Sequence, residues 1–183
     1  ISYNQKEVLR GVNDDIWLNE LRSEYAITLL GYNDTPTSTN LARRARSYVE
    51  KPTDSLTEWK NEHYDYGQIT MLGEYIAEHY SPKVIADTVK NKSAGINSLN
   101  EALAANGYKV NFIDVMRDWM IAGVLNDNSQ NTRYGYDRSY LKDFKIAPLI
   151  FAGIGDTNPI SFSEQIKDWQ GHWYEISQFT PGN

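Results

Sequence analysis

Between Asp15 and Leu125 the apolar residues return at steps of three and four, interrupted at intervals by residues that cap helices or turn the chain. That period matches the 3.6-residue turn of an α-helix, and a half-buried strand, with its two-residue alternation, does not reproduce it. Trp17, Leu18, Leu21, Tyr25 and Leu29 form the first stripe, with Asn13-Asp14-Asp15 offering N-cap oxygens before it and Gly31 ending it. Asp34 to Asn40 reads as a loop, and a helical patch over Leu41 to Val49 stops before Pro52. A second long helix is expected from Tyr66 to Tyr80, closed by Ser81-Pro82, with Ser81 capping a helix that carries Val84, Ile85, Thr88 and Val89. Another begins near Ile96 and ends at Asn106-Gly107, a left-handed cap. Asn111 to Leu125 forms the last, with Asn111 and Asp114 spaced as a capping box.

Beyond residue 127 the helical period gives way to Asn, Gly and Tyr, with short apolar runs at Phe144 to Phe151 and Trp173 to Phe179 that read as strands. The fold class is therefore mainly α: a bundle of about six helices over residues 1–127, followed over 128–183 by loops and a short β or extended tail. A chain of 183 residues is long enough for one sizeable core. No apolar run approaches the roughly 20 residues of a membrane span, so none is expected. The net charge of -6 argues against a nucleic-acid surface, and Arg43, Arg44 and Arg46 read as a solvated helix face. Without cysteine there are neither disulfides nor thiolate metal sites. Residues Ile1 to Lys6 have no initiator methionine and no signal-peptide pattern, so the chain is expected to begin at a cut.

The inventory for chemistry is small. His63, His79 and His172 are far apart in sequence, with no H-x-x-x-H pair, so a catalytic zinc site built by this chain alone is not expected. Nucleophile-elbow, phosphate-loop and dinucleotide patterns are also missing. On the first helix Glu20 and Glu24 stand one turn apart. Spacing alone allows two readings, a pair of solvated glutamates or a cation site, because like charges one turn apart repel by only about 0.2–0.5 kcal/mol.

The residues around them narrow the choice. Trp17-Leu18-Asn19-Glu20-Leu21-Arg22-Ser23-Glu24-Tyr25-Ala26 resembles the W-L-N-E-G-L-S-E-Y-A helix of gluzincin zinc peptidases, above all the hyicolysin-like branch. Ile1 to Lys6 is similar to the stretch that follows H-E-F-Q-H in that branch, and Tyr64-Asp65-Tyr66-Gly67 resembles its Y-x-x-G or Y-G element. The resemblance extends over about residues 1–140, with one departure, Leu21 where the family has glycine. It implies that Glu20 is the third zinc ligand of an endopeptidase, that zinc is the cofactor, and that the two histidines and the general-base glutamate lie on a preceding segment absent from this chain. It implies a peptide or protein substrate, an extracellular or cell-surface bacterial setting, and no peptidase activity for this chain by itself. Tyr64 at the Y-x-x-G position, Tyr66 at the Y-G position, and His63 on chemistry alone are the candidates to stabilise the oxyanion of peptide hydrolysis. Asn19 and Glu24 are placed to orient neighbouring ligands. Two other readings stand beside this one: a non-catalytic helical module presenting an aromatic surface, and a glycosidase pair including Glu20. Trp59, Trp119, Trp169 and Trp173 would suit sugar stacking in a cleft, although tryptophan at helical spacing is usually core.

Overall fold

The computed structural model describes residues 2–34, 40–151 and 163–176, with no side-chain description for Ile150 and Phe151. Helices α1 (Ile16–Leu29), α2 (Asn40–Glu50), α3 (His63–Tyr80), α4 (Pro82–Lys90), α5 (Gly95–Ala105) and α6 (Phe112–Leu125) follow a short π-helical turn at Asn4–Val8. Strands β1 (Leu149–Phe151) and β2 (Tyr174–Ile176) pair in parallel, Leu149 opposite Tyr174 and Phe151 opposite Ile176. The molecule is mainly helical, a bundle with a short extended tail, as the apolar period predicts. No described helix is long and apolar enough to cross a membrane. Ile1, the interior of the loop expected between Asp34 and Asn40, and the strand end expected at Phe179 lie outside the described residues.

Helix α3 is the axis of the bundle. It packs against α1, α2, α4 and α6, and its Ile69, Leu72, Tyr75 and Ile76 are fully buried. It begins three residues earlier than its apolar stripe suggests, because Asp65 reaches back to accept the Glu62 backbone N–H at 2.7 Å and satisfies a donor the helix end would leave open. Gly67 then lets α2 come close: a Cβ there would sit 2.7 Å from the Tyr48 backbone nitrogen and 3.1 Å from the Arg44 carbonyl oxygen. Ser81 ends α3 at φ +97° and its Oγ accepts the Lys83 N–H at 3.1 Å, so one residue closes one helix and caps the next. The capping box of α6 forms as expected, Asn111 Oδ1 accepting from Ile113 and Asp114 while Asp114 Oδ2 accepts from Asn111.

At α1 the cap differs from expectation. Asp15 is the N-cap residue but makes no side-chain cap hydrogen bond. Its neighbour Asp14 is instead buried, with Oδ1 accepting the Gly95 N–H at 2.8 Å and Oδ2 paired with Arg22 at 2.5 Å. The charge is better used inside, where a guanidinium and a backbone donor compensate it, than at an exposed helix end. Lys6 is likewise buried, its ammonium donating to the Thr88 carbonyl at 2.5 Å, Asn91 Oδ1 at 2.8 Å and Ser98 Oγ at 3.0 Å. Three protons meet three oxygens, which ties the first turn of the chain to α4 and α5.

The residues after α6 pack on the same core as the helices. Tyr136, Leu141 and Ile146 are buried with Trp119, Met71 and Tyr48. The Tyr136 hydroxyl accepts from Trp119 Nε1 at 2.9 Å and donates to the Met71 carbonyl at 3.1 Å. The change of character near residue 127 marks the end of the α-helices, and the core continues past it through a short 3-10 turn at Ser139–Leu141.

Candidate functional site

The site is built where α1, α2 and the start of α3 meet. On α1, Trp17, Leu18 and Leu21 are buried, which fixes the rotation of the helix and leaves Glu20 half-buried at the edge of the core. Among the described residues Glu20 accepts no hydrogen bond and forms no ion pair. Burial, and then the neighbouring Glu24 carboxylate, raise its pKa above the ordinary glutamate value, while Arg44 opposes the shift. It is a partly desolvated carboxylate without a protein partner among the described residues.

Glu24 is the opposite case. It is buried, and its carboxylate receives Arg44 at both oxygens, Nη2 at 2.6 Å and Nε at 3.2 Å, together with Asn40 Nδ2 at 2.6 Å and the Thr70 hydroxyl at 3.4 Å. The reading of two solvated glutamates therefore fails for Glu24, and the reading of Arg44 as part of a solvated face is corrected with it. Arg43 and Arg46 are exposed, but Arg44 lies on the stripe of Leu41 and Tyr48, three and four residues away, and turns inward with them. That spacing was the signal in the sequence. Buried arginine is tolerated here because a bidentate carboxylate compensates its charge and the face of Tyr66 lies 4.2 Å from the guanidinium carbon.

Of the two tyrosines, Tyr66 is the one whose phenol the Glu20 charge acts on. Its phenol is raised above the ordinary value by burial and next by Glu20, with Arg44 opposing. Its hydroxyl donates to Asn61 Oδ1 at 3.1 Å, and its ring meets Trp59 edge-on at 5.0 Å. Tyr64, two residues away and so about 200° around the same helix, turns elsewhere. Its hydroxyl bonds Glu50 Oε1 at 3.3 Å and Lys51 lies 4.8 Å over its ring. His63 is exposed and lies tilted against the Tyr64 ring, centroids 3.8 Å apart. The structure thus gathers Glu20, Glu24, Arg44 and Tyr66, with Tyr64 and His63 on a neighbouring side.

Asn19 accepts the Ser2 hydroxyl at 2.6 Å, which binds the start of the chain to the helix of Glu20. Leu21, where the resembling helices have glycine, finds its space against α3. Its Cγ would lie 3.3 Å from a Cβ at Gly73, so the bulk removed from one helix is taken up by the other.

Zinc requires more donors than this. Among the described residues no group of three or more His, Cys, Asp or Glu side chains is placed to hold a metal ion. Glu20 fits the part of one carboxylate ligand, and the set is incomplete. His79 Nε2 donates to the Gly135 carbonyl at 2.8 Å, and His172 pairs with Glu164 at 2.8 Å, both far from Glu20 in the chain. Of the tryptophans, Trp119 is core and stacks on Tyr48 at 5.4 Å. Trp169 and Trp173 line an apolar cavity of about 690 Å³ beside Met116 and Met120 of α6. Compared with protein-family models and with curated proteins, the chain matches none.

Proposed function

We propose that this chain is part of a secreted zinc endopeptidase of the gluzincin type, to which it contributes Glu20 as a metal ligand. The observation that carries the reading is the contrast between two carboxylates one turn apart. Glu24 is saturated by Arg44, Asn40 and Thr70, whereas Glu20, in the W-L-N-E context, keeps its lone pairs open in a half-buried position. A bound metal would relieve both the desolvation and the repulsion that raise its pKa. The histidines and the general-base glutamate would come from an H-E-x-x-H helix outside these 183 residues. Zinc held there supplies Lewis acidity to the scissile carbonyl of a peptide substrate. Arg44 and Glu24 fix the helix faces around Glu20, and the Tyr66 phenol, protonated through neutral pH, would turn its proton from Asn61 to an oxyanion.

The test uses the parent protein carrying the H-E-x-x-H helix. Glu20→Gln is expected to lose zinc, read by elemental analysis, and activity with it. Tyr66→Phe is expected to keep zinc and lose turnover about a hundredfold, and Tyr64→Phe is the comparison. Full zinc content in Glu20→Gln would sink the assignment. A turnover loss in Tyr64→Phe but not Tyr66→Phe would move the oxyanion role to Tyr64, and His63 is next if neither responds.

The second reading, a helical binding module, draws support from the cavity beside Trp169 and Trp173. It predicts that chelators leave every property of the parent protein unchanged.

A further inference from the structure

In the middle of α3 lies a buried carboxylate that the Glu20 site does not use. Glu74 is 1% exposed. Its Oε1 accepts the hydroxyl of Thr28 on α1, and its Oε2 has no hydrogen-bond partner. Beside it stands Arg138, whose Nε is 3.6 Å from Glu74 Oε2 and 3.6 Å from Glu78 Oε1, beyond hydrogen-bond reach of either. One guanidinium is thus shared between two carboxylates and satisfies neither.

The remaining contacts close a ring. Thr28 Oγ1 accepts from Asn33 Nδ2 at 2.7 Å, the Asn33 carbonyl accepts from the Tyr140 hydroxyl at 2.9 Å, and that hydroxyl accepts from Arg138 Nη1 at 2.9 Å. The backbone N–H groups of Asp137 and Arg138 donate to Glu78 at 2.8 and 3.3 Å. The ring therefore joins α1, the turn after it, α3, and residues 137–140 of the segment that follows α6. Arg138 of that segment is the group that stands beside the open oxygen of Glu74.

We propose that Glu74 and Arg138 form a proton-operated latch, in which a neutral Glu74 keeps residues 137–140 seated on α3 and ionisation of Glu74 loosens them. An ionised Glu74 in this place has a buried oxygen without a donor and a negative neighbour in Glu78. Lifting the segment admits water to both. Burial pushes Glu74 up to about 7, with Thr28 and Arg138 opposing and Glu78 adding to the rise. Glu78 is itself raised, chiefly by burial, and so acts in the same direction. Tyr25, which also faces Glu74, is raised by burial and stays protonated in this range, and Arg138 stays charged. The seated state therefore holds the Glu74 proton up to about 7, whereas a hydrated Glu74 releases it near the ordinary 4.5. Opening is most strongly opposed at acid pH and becomes easier as pH rises between those two values.

The experiment is hydrogen exchange on the full 183-residue chain from pH 5 to pH 8, corrected for the intrinsic pH dependence of exchange. In the native sequence the Asp137 and Arg138 amides are expected to gain on the order of tenfold to a hundredfold in opening, while amides in α5 do not. Glu74→Gln, neutral at every pH, should reduce that gain to what Glu78 alone provides. The same gain in Glu74→Gln, or none in the native chain, overturns the latch. Should Glu74→Gln not fold, carbon-detected titration of the Glu74 carboxyl in the native chain decides: a midpoint near 7 supports the proposal and one below 5 refutes it.

Discussion

Arg44 and Glu24 bury opposite charges at the junction of α1 and α2, each with about a tenth of its side chain exposed. Such a pair is worth less as a bond than the cost of breaking it, because the remaining partner is left charged and dry. Arg44→Met is therefore expected to destabilise the fold by about 3–5 kcal/mol, and Glu24→Gln together with Arg44→Met by less than Arg44→Met alone. Urea unfolding of the two variants checks this, and a loss under about 1 kcal/mol in Arg44→Met would show that water reaches the pair. At this scale the sequence was only partly legible. Glu20 stood out because the letters around it form a pattern. Arg44 did not, because a basic residue in a basic cluster looks solvated until the stripe of Leu41 and Tyr48 beside it is weighed. Which of Tyr64 and Tyr66 lies on the Glu20 side depends on the rotation of α3, which is set by the face it buries against α1 and α2 and is not marked by the letters of Tyr64-Asp65-Tyr66.

Helices α2 and α3 meet through Gly67, and the sign of a substitution there follows from two competing effects. Alanine is the better helix former by about 1 kcal/mol. Its Cβ, however, would press on backbone atoms of α2 at 2.7 and 3.1 Å, which cannot swing aside as a side chain would. Gly67→Ala should lower stability by about 2 kcal/mol or more, measured as a fall in thermal midpoint. An unchanged or raised midpoint would mean that the helices do not approach this closely. The elements themselves were the most readable part of the chain. Caps such as Asn111 with Asp114, and punctuation such as Ser81-Pro82, announce helix ends through hydrogen bonds made within a few residues. The cap of α1 was misread because Asp14 is bound to Gly95 and Arg22, partners that no local pattern names.

For the whole molecule, the core does not stop where the helices do. Tyr136, Leu141 and Ile146 are buried against α3 and α6, and large buried side chains are worth about 2–5 kcal/mol each. Together they rival the roughly 5–15 kcal/mol that holds an ordinary domain folded. A chain ended after Asp127 is expected to lose its cooperative unfolding transition, observable by circular dichroism. A sharp transition near that of the full chain would show the helices to be self-sufficient. The other end is fastened as well, since the Lys6 ammonium is wholly enclosed by oxygens of α4 and α5 and burial lowers its pKa. Acylating reagents attack the free, unprotonated amine at an accessible surface. Lys6 should therefore resist labelling while exposed lysines such as Lys83 and Lys90 react, and become modified only at the rate at which the chain opens. Mass spectrometry of timed labelling would make this one amine a clock for the unfolding of the protein, built into its own sequence.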